Sequence, residues 1–171
     1  DTNLVCNLTI NGIVNASGIS SDNGTFREYT VDEFNDGLYY WNVTCIDNAT
    51  NVNTSATWNF TVDTNVPVVS LDAPINGTWN QSGEVNFAYI ATDDTLKNCT
   101  LWGNFDGTWK ANETNITVES GVQDFVKLNL TNGTYIWNVL CYDENGLNAF
   151  NSTNYTLYID SIKPSIDLHN P

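Results

Sequence analysis

Apolar and polar residues alternate along two closely similar stretches, and these organise the rest of the chain. Residues 133–143 read Gly-Thr-Tyr-Ile-Trp-Asn-Val-Leu-Cys-Tyr-Asp, and residues 37–47 read Gly-Leu-Tyr-Tyr-Trp-Asn-Val-Thr-Cys-Ile-Asp. Tyr39, Trp41, Val43 and Cys45 match Tyr135, Trp137, Val139 and Cys141. A period of two predicts a β-strand with Tyr-Trp-Val-Cys on one face. A strand that recurs together with its neighbours predicts tandem domains.

Around that strand the pattern continues. Cys6, Leu8 and Ile10 share one face of an early strand, as do Cys99 and Leu101 of its twin. Residues 11–25 read as a Gly/Ser/Asn-rich excursion, Phe26–Phe34 as a strand, and Asn35-Asp36-Gly37 as a turn. Thr54–Asp63 reads as a strand with Trp58, Phe60 and Val62 inward. A boundary follows at Thr64-Asn65-Val66-Pro67, with a twin at Ser161-Ile162-Lys163-Pro164. In between, strands are expected at Val68–Leu71, at Val85–Ala91, around Cys99, at Asn115–Glu119, at Asp124–Leu130, in the recurrent stretch and at Tyr155–Asp160. That is an all-β architecture of tandem seven-stranded antiparallel sandwiches, with almost no helix.

The expected organisation is thus 1–63, a domain lacking its first two strands; 64–160, a complete domain; and 161–171, a first strand standing alone. Residues 164–171 copy residues 67–74. The preferred reading is a window on a longer tandem array. The alternative is a strand donated to a neighbour's sheet, which would leave the counterpart of residues 84–92 still missing.

Charge and composition narrow the partners. A net charge of −15 with five Lys plus Arg repels nucleic acid and anionic membranes. No apolar run is long enough to span a bilayer. The absence of methionine and of a signal sequence suggests a processed chain or a piece of one. The four cysteines fall one pair per repeat, Cys6 with Cys45 and Cys99 with Cys141, without zinc-type spacing. A disulfide in each repeat, and hence an oxidising compartment, is the favoured reading; four buried thiols are the alternative.

The strongest chemical signal is Asn-x-Ser/Thr. It occurs at Asn7, Asn15, Asn23, Asn42, Asn48, Asn53, Asn59, Asn76, Asn80, Asn98, Asn112, Asn115, Asn129, Asn132, Asn151 and Asn154. With 27 Asn and 31 Ser plus Thr in 171 residues, chance alone gives about five such triplets. Those inside strands stand out of phase with the inward residues, so dense N-glycosylation is expected.

Other chemistry is sparser. Asp63, Asp93, Asp94, Asp143, Glu144, Asn145 and Asp160 offer oxygen ligands for calcium near turns and boundaries. No complete Asp-x-Asp-x-Asp-Gly loop exists, and turn carboxylates commonly bond their own backbone, so the favoured reading is no metal or cofactor, with calcium the alternative. Trp41, Trp58 and Trp137 are expected in the core. Trp79, Trp102 and Trp109 fall in turns or out of phase and could form a contact surface. His169 is the single histidine. With no nucleophile motif or phosphate loop, no catalytic residue and no enzyme activity are expected.

The run Pro-x-Val-x-Leu-x-x-Pro-x-Asn-Gly-Thr, then Asn-Cys-Thr-Leu, then Tyr-x-Trp-Asn-Val-x-Cys-x-Asp, then a closing Ile-Asp before the next Pro, carries a resemblance. It resembles the tandem immunoglobulin-like (fibronectin III-like) repeats of archaeal and some bacterial extracellular surface glycoproteins, and it covers essentially the whole chain. Such repeats serve as spacers and building blocks. One departure stands out: the first cysteine lies on the third strand, so its bond would staple neighbours within one sheet rather than bridge two.

The expected role is therefore structural. The chain reads as a repeat unit of a glycosylated fibre, filament or stalk on the cell surface. It would be joined head to tail to copies of itself or to flanking repeats, and would carry covalent N-glycans. The alternative is an adhesive or carbohydrate-binding module using Trp79, Trp102 and Trp109.

Overall fold

The computed structural model describes residues 3–168; Asp1, Thr2, His169, Asn170 and Pro171 lie outside the described residues, and so does any role for His169. The chain divides into two units, Asp1–Thr64 and Asn65–Pro171. No helix forms among the described residues, and none is long and apolar enough to cross a membrane.

Unit 2 is a two-layered sandwich. Its strands are β6 (Val68–Ala73), β7 (Thr78–Asn80), β8 (Glu84–Thr92), β9 (Leu96–Gly103), β10 (Lys110–Asn115), β11 (Gln123–Asn129), β12 (Gly133–Asp143), β13 (Asn148–Phe150) and β14 (Tyr155–Ile159). One sheet runs β10-β9-β12-β14-β7 with β13 also on β12, and the other runs β11-β8-β6. Pairings are antiparallel except β14 with β7. The seven expected strands gain two three-residue additions, β7 and β13, too short to show a period. The strand expected at Asn115–Glu119 lies earlier, at Lys110–Asn115.

The recurrent strand is the centre of the unit 2 core. Trp137, Val139 and Cys141 of β12 have no exposed surface and Tyr135 little, packed with Val69, Leu71, Val85, Phe87, Tyr89 and Val126 of the facing sheet. Phe87 meets Trp137 edge-on at 4.9 Å and Phe105 at 5.2 Å. Gly103 stands opposite Trp137 in the register. A Cβ there would come within 2.5 Å of the Phe105 ring, so this position has room only for glycine.

Unit 1 holds the same strand with no second layer. Its strands are β1 (Leu4–Ile10), β2 (Ile13–Ser21), β3 (Gly37–Ile46), β4 (Val52–Thr54) and β5 (Trp58–Val62). They form one sheet, β2-β1-β3-β4, with β5 also on β3. The excursion expected at 11–25 contains strand β2, and the strand expected at Phe26–Phe34 has no regular structure. That segment corresponds to β11. In unit 2, β11 takes all its sheet bonds from β8, and the described residues of unit 1 contain no counterpart of β8. Trp41, Val43 and Cys45 are half-buried as a result. They line an open cavity of about 920 Å³ that also borders Arg27–Val31 and Phe34. Trp58, expected inward, is 66% exposed and lies edge-on to Trp41 at 5.9 Å.

Polar clamps recur with the strand. The Tyr39 hydroxyl donates to the Asn35 carbonyl and that of Tyr135 to the Thr131 carbonyl, each at 2.9 Å, the corner that ties a sandwich strand to its preceding turn. Asp36 Oδ1 accepts from the Thr64 amide and hydroxyl, and Asn132 Oδ1 from those of Ser161. Asn11 Oδ1 accepts from the Tyr40 amide, and Asn104 Oδ1 from that of Ile136. Cys6 pairs with Cys45 and Cys99 with Cys141 as direct neighbours in register, and both pairs are disulfides. Each bond joins adjacent strands of one sheet.

Two measurements check this packing. Trp137→Ala is expected to cost about 3–5 kcal/mol in denaturant unfolding, as for a fully buried large aromatic, and Trp41→Ala less than half of that. Burial, with the nearby Asp124 charge adding to it, pushes the Tyr89 hydroxyl up to about 12. An unfolded tyrosine titrates near pH 10. Between about pH 10 and 12 the folded chain therefore keeps a proton that the unfolded chain loses, and stability falls as pH rises. Tyr89→Phe is expected to flatten the fall in melting temperature across that window.

Candidate functional site

The asparagine acceptors are distributed over both units, and none of the sixteen is buried. Among the described residues the one fully buried asparagine, Asn138, stands outside the motif. N-linked sugar attaches to Nδ2, so what each side chain already bonds matters. Asn7, Asn76, Asn115 and Asn132 accept through Oδ1, a role that survives attachment. Asn115 takes both bonds from its own motif threonine: the Thr117 amide at 2.9 Å and hydroxyl at 3.0 Å. Asn154 is different. Its Oδ1 accepts from Nδ2 of buried Asn138 at 2.7 Å, while the same nitrogen reaches the Asn151 carbonyl at 2.9 Å.

The three outlying tryptophans do not form one surface. Trp102 and Trp109 lie 6.3 Å apart, and Phe150 joins them at 5.7 and 6.5 Å. This cluster sits on the outer face of the larger sheet. Phe150 escaped sequence reasoning because β13 is short; its position opposite Leu140 places it there. Trp79 is 69% exposed and stacks on Tyr158 at 4.5 Å. Three strand spacings separate β7 from β9 in the sheet order, about 14 Å.

The acidic turn residues sort sharply. Asp160 is exposed and accepts from the Ile162 amide at 3.0 Å. Asp94, Glu144 and Asn145 are exposed, with Glu144 3.1 Å from Lys97. Asp63 follows β5 in unit 1. Asp143 is the exception, with no exposed surface at the end of β12. Its Oδ1 accepts from the Leu147 amide at 2.8 Å, and its Oδ2 is buried without a hydrogen-bond partner. A carboxylate oxygen of Asp93 lies within 4.8 Å of one of Asp143. At such separations two like charges repel by on the order of 1–4 kcal/mol.

Unit 1 contains the same turn with this problem solved. The Asp47 amide donates to the Asn51 carbonyl as the Asp143 amide does to that of Leu147. Asp47 Oδ1 accepts from the Asn51 amide at 2.9 Å, and its Oδ2 from Asn51 Nδ2 at 2.8 Å. That side-chain bond leads in holding the Asp47 carboxyl below the usual range. In unit 2, Leu147 stands where Asn51 stands, and the second oxygen loses its donor.

No family profile and no curated protein matches the chain. It is similar in fold to the fibronectin(III)-like modules of CbhA from Clostridium thermocellum, at 13% identity and a TM-score of 0.44, covering 97% of this chain and 83% of that one. It is also similar to the PKD domain of an M14-like peptidase from a Thermoplasmatales archaeon: 18% identity, TM-score 0.34, covering 55% and 92%. A third likeness is to SGBP-B of the Bacteroides ovatus mixed-linkage glucan utilization locus, solved with a mixed-linkage heptasaccharide. There the identity is 15% and the TM-score 0.29, covering 91% of this chain and 38% of that one.

The acceptor asparagines differ in structural weight, and unglycosylated protein reports it. Asn154→Ala takes an acceptor from a buried donor and is expected to cost about 1–3 kcal/mol. Asn112→Ala, on the exposed face of β10, is expected to stay within about 0.5 kcal/mol. Denaturant unfolding of the two variants measures the difference.

Proposed function

We propose that the chain is a structural module of an extracellular, N-glycosylated array, joined head to tail to like modules. One observation carries this reading: an uncovered sheet face and a segment, 164–168, that carries the β6 pattern but forms no strand occur in the same chain. Ile166 and Leu168 occupy the repeat positions of Val69 and Leu71, two core residues of β6. Yet Ile166 is 85% and Leu168 88% exposed. The Trp41-Val43-Cys45 face of unit 1 meanwhile lacks the layer that covers its twin. A segment like 164–168 from a neighbouring module would fill part of that face with its alternate side chains. In unit 2, β6 takes its sheet bonds from β8 alone, so backbone pairing is complete only where the neighbour also supplies a β8-type strand.

Glycans fit the same role. Acceptors on exposed strands and turns would shield sheet edges that otherwise invite uncontrolled pairing. Paired cysteines in both units suit an oxidising extracellular setting. The exposed Trp79–Tyr158 stack favours a second reading, a carbohydrate-binding surface. Saturable glycan binding lost in Trp79→Ala would favour it over the structural one.

Light scattering tests the assembly directly. The chain is expected to self-associate with rising concentration, and Ile166→Asp with Leu168→Asp to weaken association at least tenfold. A strict monomer indistinguishable from the double variant overturns strand exchange between chains. Glycopeptide mass spectrometry of native material is expected to find sugar on most acceptor asparagines; bare asparagine throughout overturns the glycan coat.

A further inference from the structure

We infer that unit 2 binds a hard divalent cation, calcium by preference, between the turn of Asp93–Thr95 and the turn of Asp143–Leu147. The two turns lie side by side. The Glu144 amide donates to the Thr95 carbonyl at 2.9 Å, and Asp143 faces Leu96 in the register of β9 with β12. The Asp93 carboxylate is oriented by the Thr95 amide at 2.8 Å, that of Asp143 by the Leu147 amide. The two converge within 4.8 Å.

Convergence of acids alone would be a solvated surface feature. Here a second observation separates it from one: Asp143 is fully buried and its Oδ2 has no donor. A buried carboxylate with one oxygen lacking a donor, and a second carboxylate close by, is costly on both counts. A cation between them removes both costs. The internal repeat supplies the contrast, because the same turn in unit 1 keeps Asn51 to satisfy Asp47, whereas unit 2 has given that donor up for Leu147. At this position unit 2 has a leucine where unit 1 has an amide donor, and the second carboxylate oxygen is left for another positive partner.

The donors select the ion. All are oxygens; the cysteines are all in disulfides and the described residues include no histidine, so thiolate- or imidazole-seeking metals find no ligand. Two carboxylates on irregular turns, with water or carbonyl oxygens completing the shell, suit the tolerant geometry of calcium better than the strict octahedron of magnesium. Asp93 is only half-buried, which leaves the ion a way in.

The test is calcium titration calorimetry and thermal melting of the chelator-stripped full chain in 0.15 M KCl, with MgCl2 for comparison. The salt suppresses diffuse binding to a chain of charge −15. The wild type is expected to bind one calcium in unit 2, and excess calcium to raise its melting temperature by at least about 5 °C. Asp93→Asn and Asp143→Asn are each expected to abolish that binding, and Glu113→Gln, on exposed β10, to leave it intact. In chelator, Asp143→Asn and Leu147→Asn are expected to melt above the wild type, since each removes or satisfies the lone oxygen. A residue holding the turn by shape alone would give the opposite sign. Wild-type protein with no stoichiometric calcium binding overturns the proposal, and so does binding that survives both aspartate substitutions.

Discussion

A strand with one large apolar face gains stability when that face is covered, and the rest of this structure follows from how far each unit covers it. In unit 2 the Tyr135-Trp137-Val139-Cys141 face is covered by β6, β8 and β11 and loses nearly all contact with water. In unit 1 the same four side chains project from β3 with no second sheet opposite. Phe34, Tyr39 and Phe60 gather at one end, with ring centroids 4.8–5.4 Å apart, a partial substitute for the missing layer. The two units thus show one sequence pattern in its satisfied and unsatisfied forms.

The polar clamps explain why unit 1 keeps its shape regardless. The tyrosine corner, the Asp36–Thr64 bonds and the Asn11–Tyr40 bonds all lie within the sheet that is present. Their unit 2 counterparts occupy the same places. Strand order in this sheet is set by local hydrogen bonds and a disulfide, and only the hydrophobic gain waits on the second layer. Where the copies diverge, as between Asn51 and Leu147, the hydrogen-bonding of the shared turn differs while its backbone stays the same.

Much of this was legible in the chain. The alternation of Tyr, Trp, Val and Cys announced the central strand, and the matched cysteines its bonds. What escaped notice did so for physical reasons. Strands β7 and β13 are three residues long, below the length at which a period can be seen. Residues 26–34 carry a strand pattern and form none, because a strand needs a partner and pattern reports only one side of the pair. Phase alone places Trp58 inward, and phase cannot tell a covered face from a bare one. The burial of Asp143 is invisible in sequence, since Asp47 in the matching turn is half-exposed.

The position of the disulfides has a consequence for extension. Cys99 and Cys141 are 42 residues apart, and Cys6 and Cys45 are 39. At about 3.4 Å per extended residue, these loops hold back roughly 140 and 130 Å of contour length. A pull along the chain would run through the sulfur bridge and bypass everything between. Even with its sheets parted, unit 1 would therefore release about 25 of its 64 residues and unit 2 about 65 of its 107, so the bridges cap how far each unit can be drawn out without abolishing its extension.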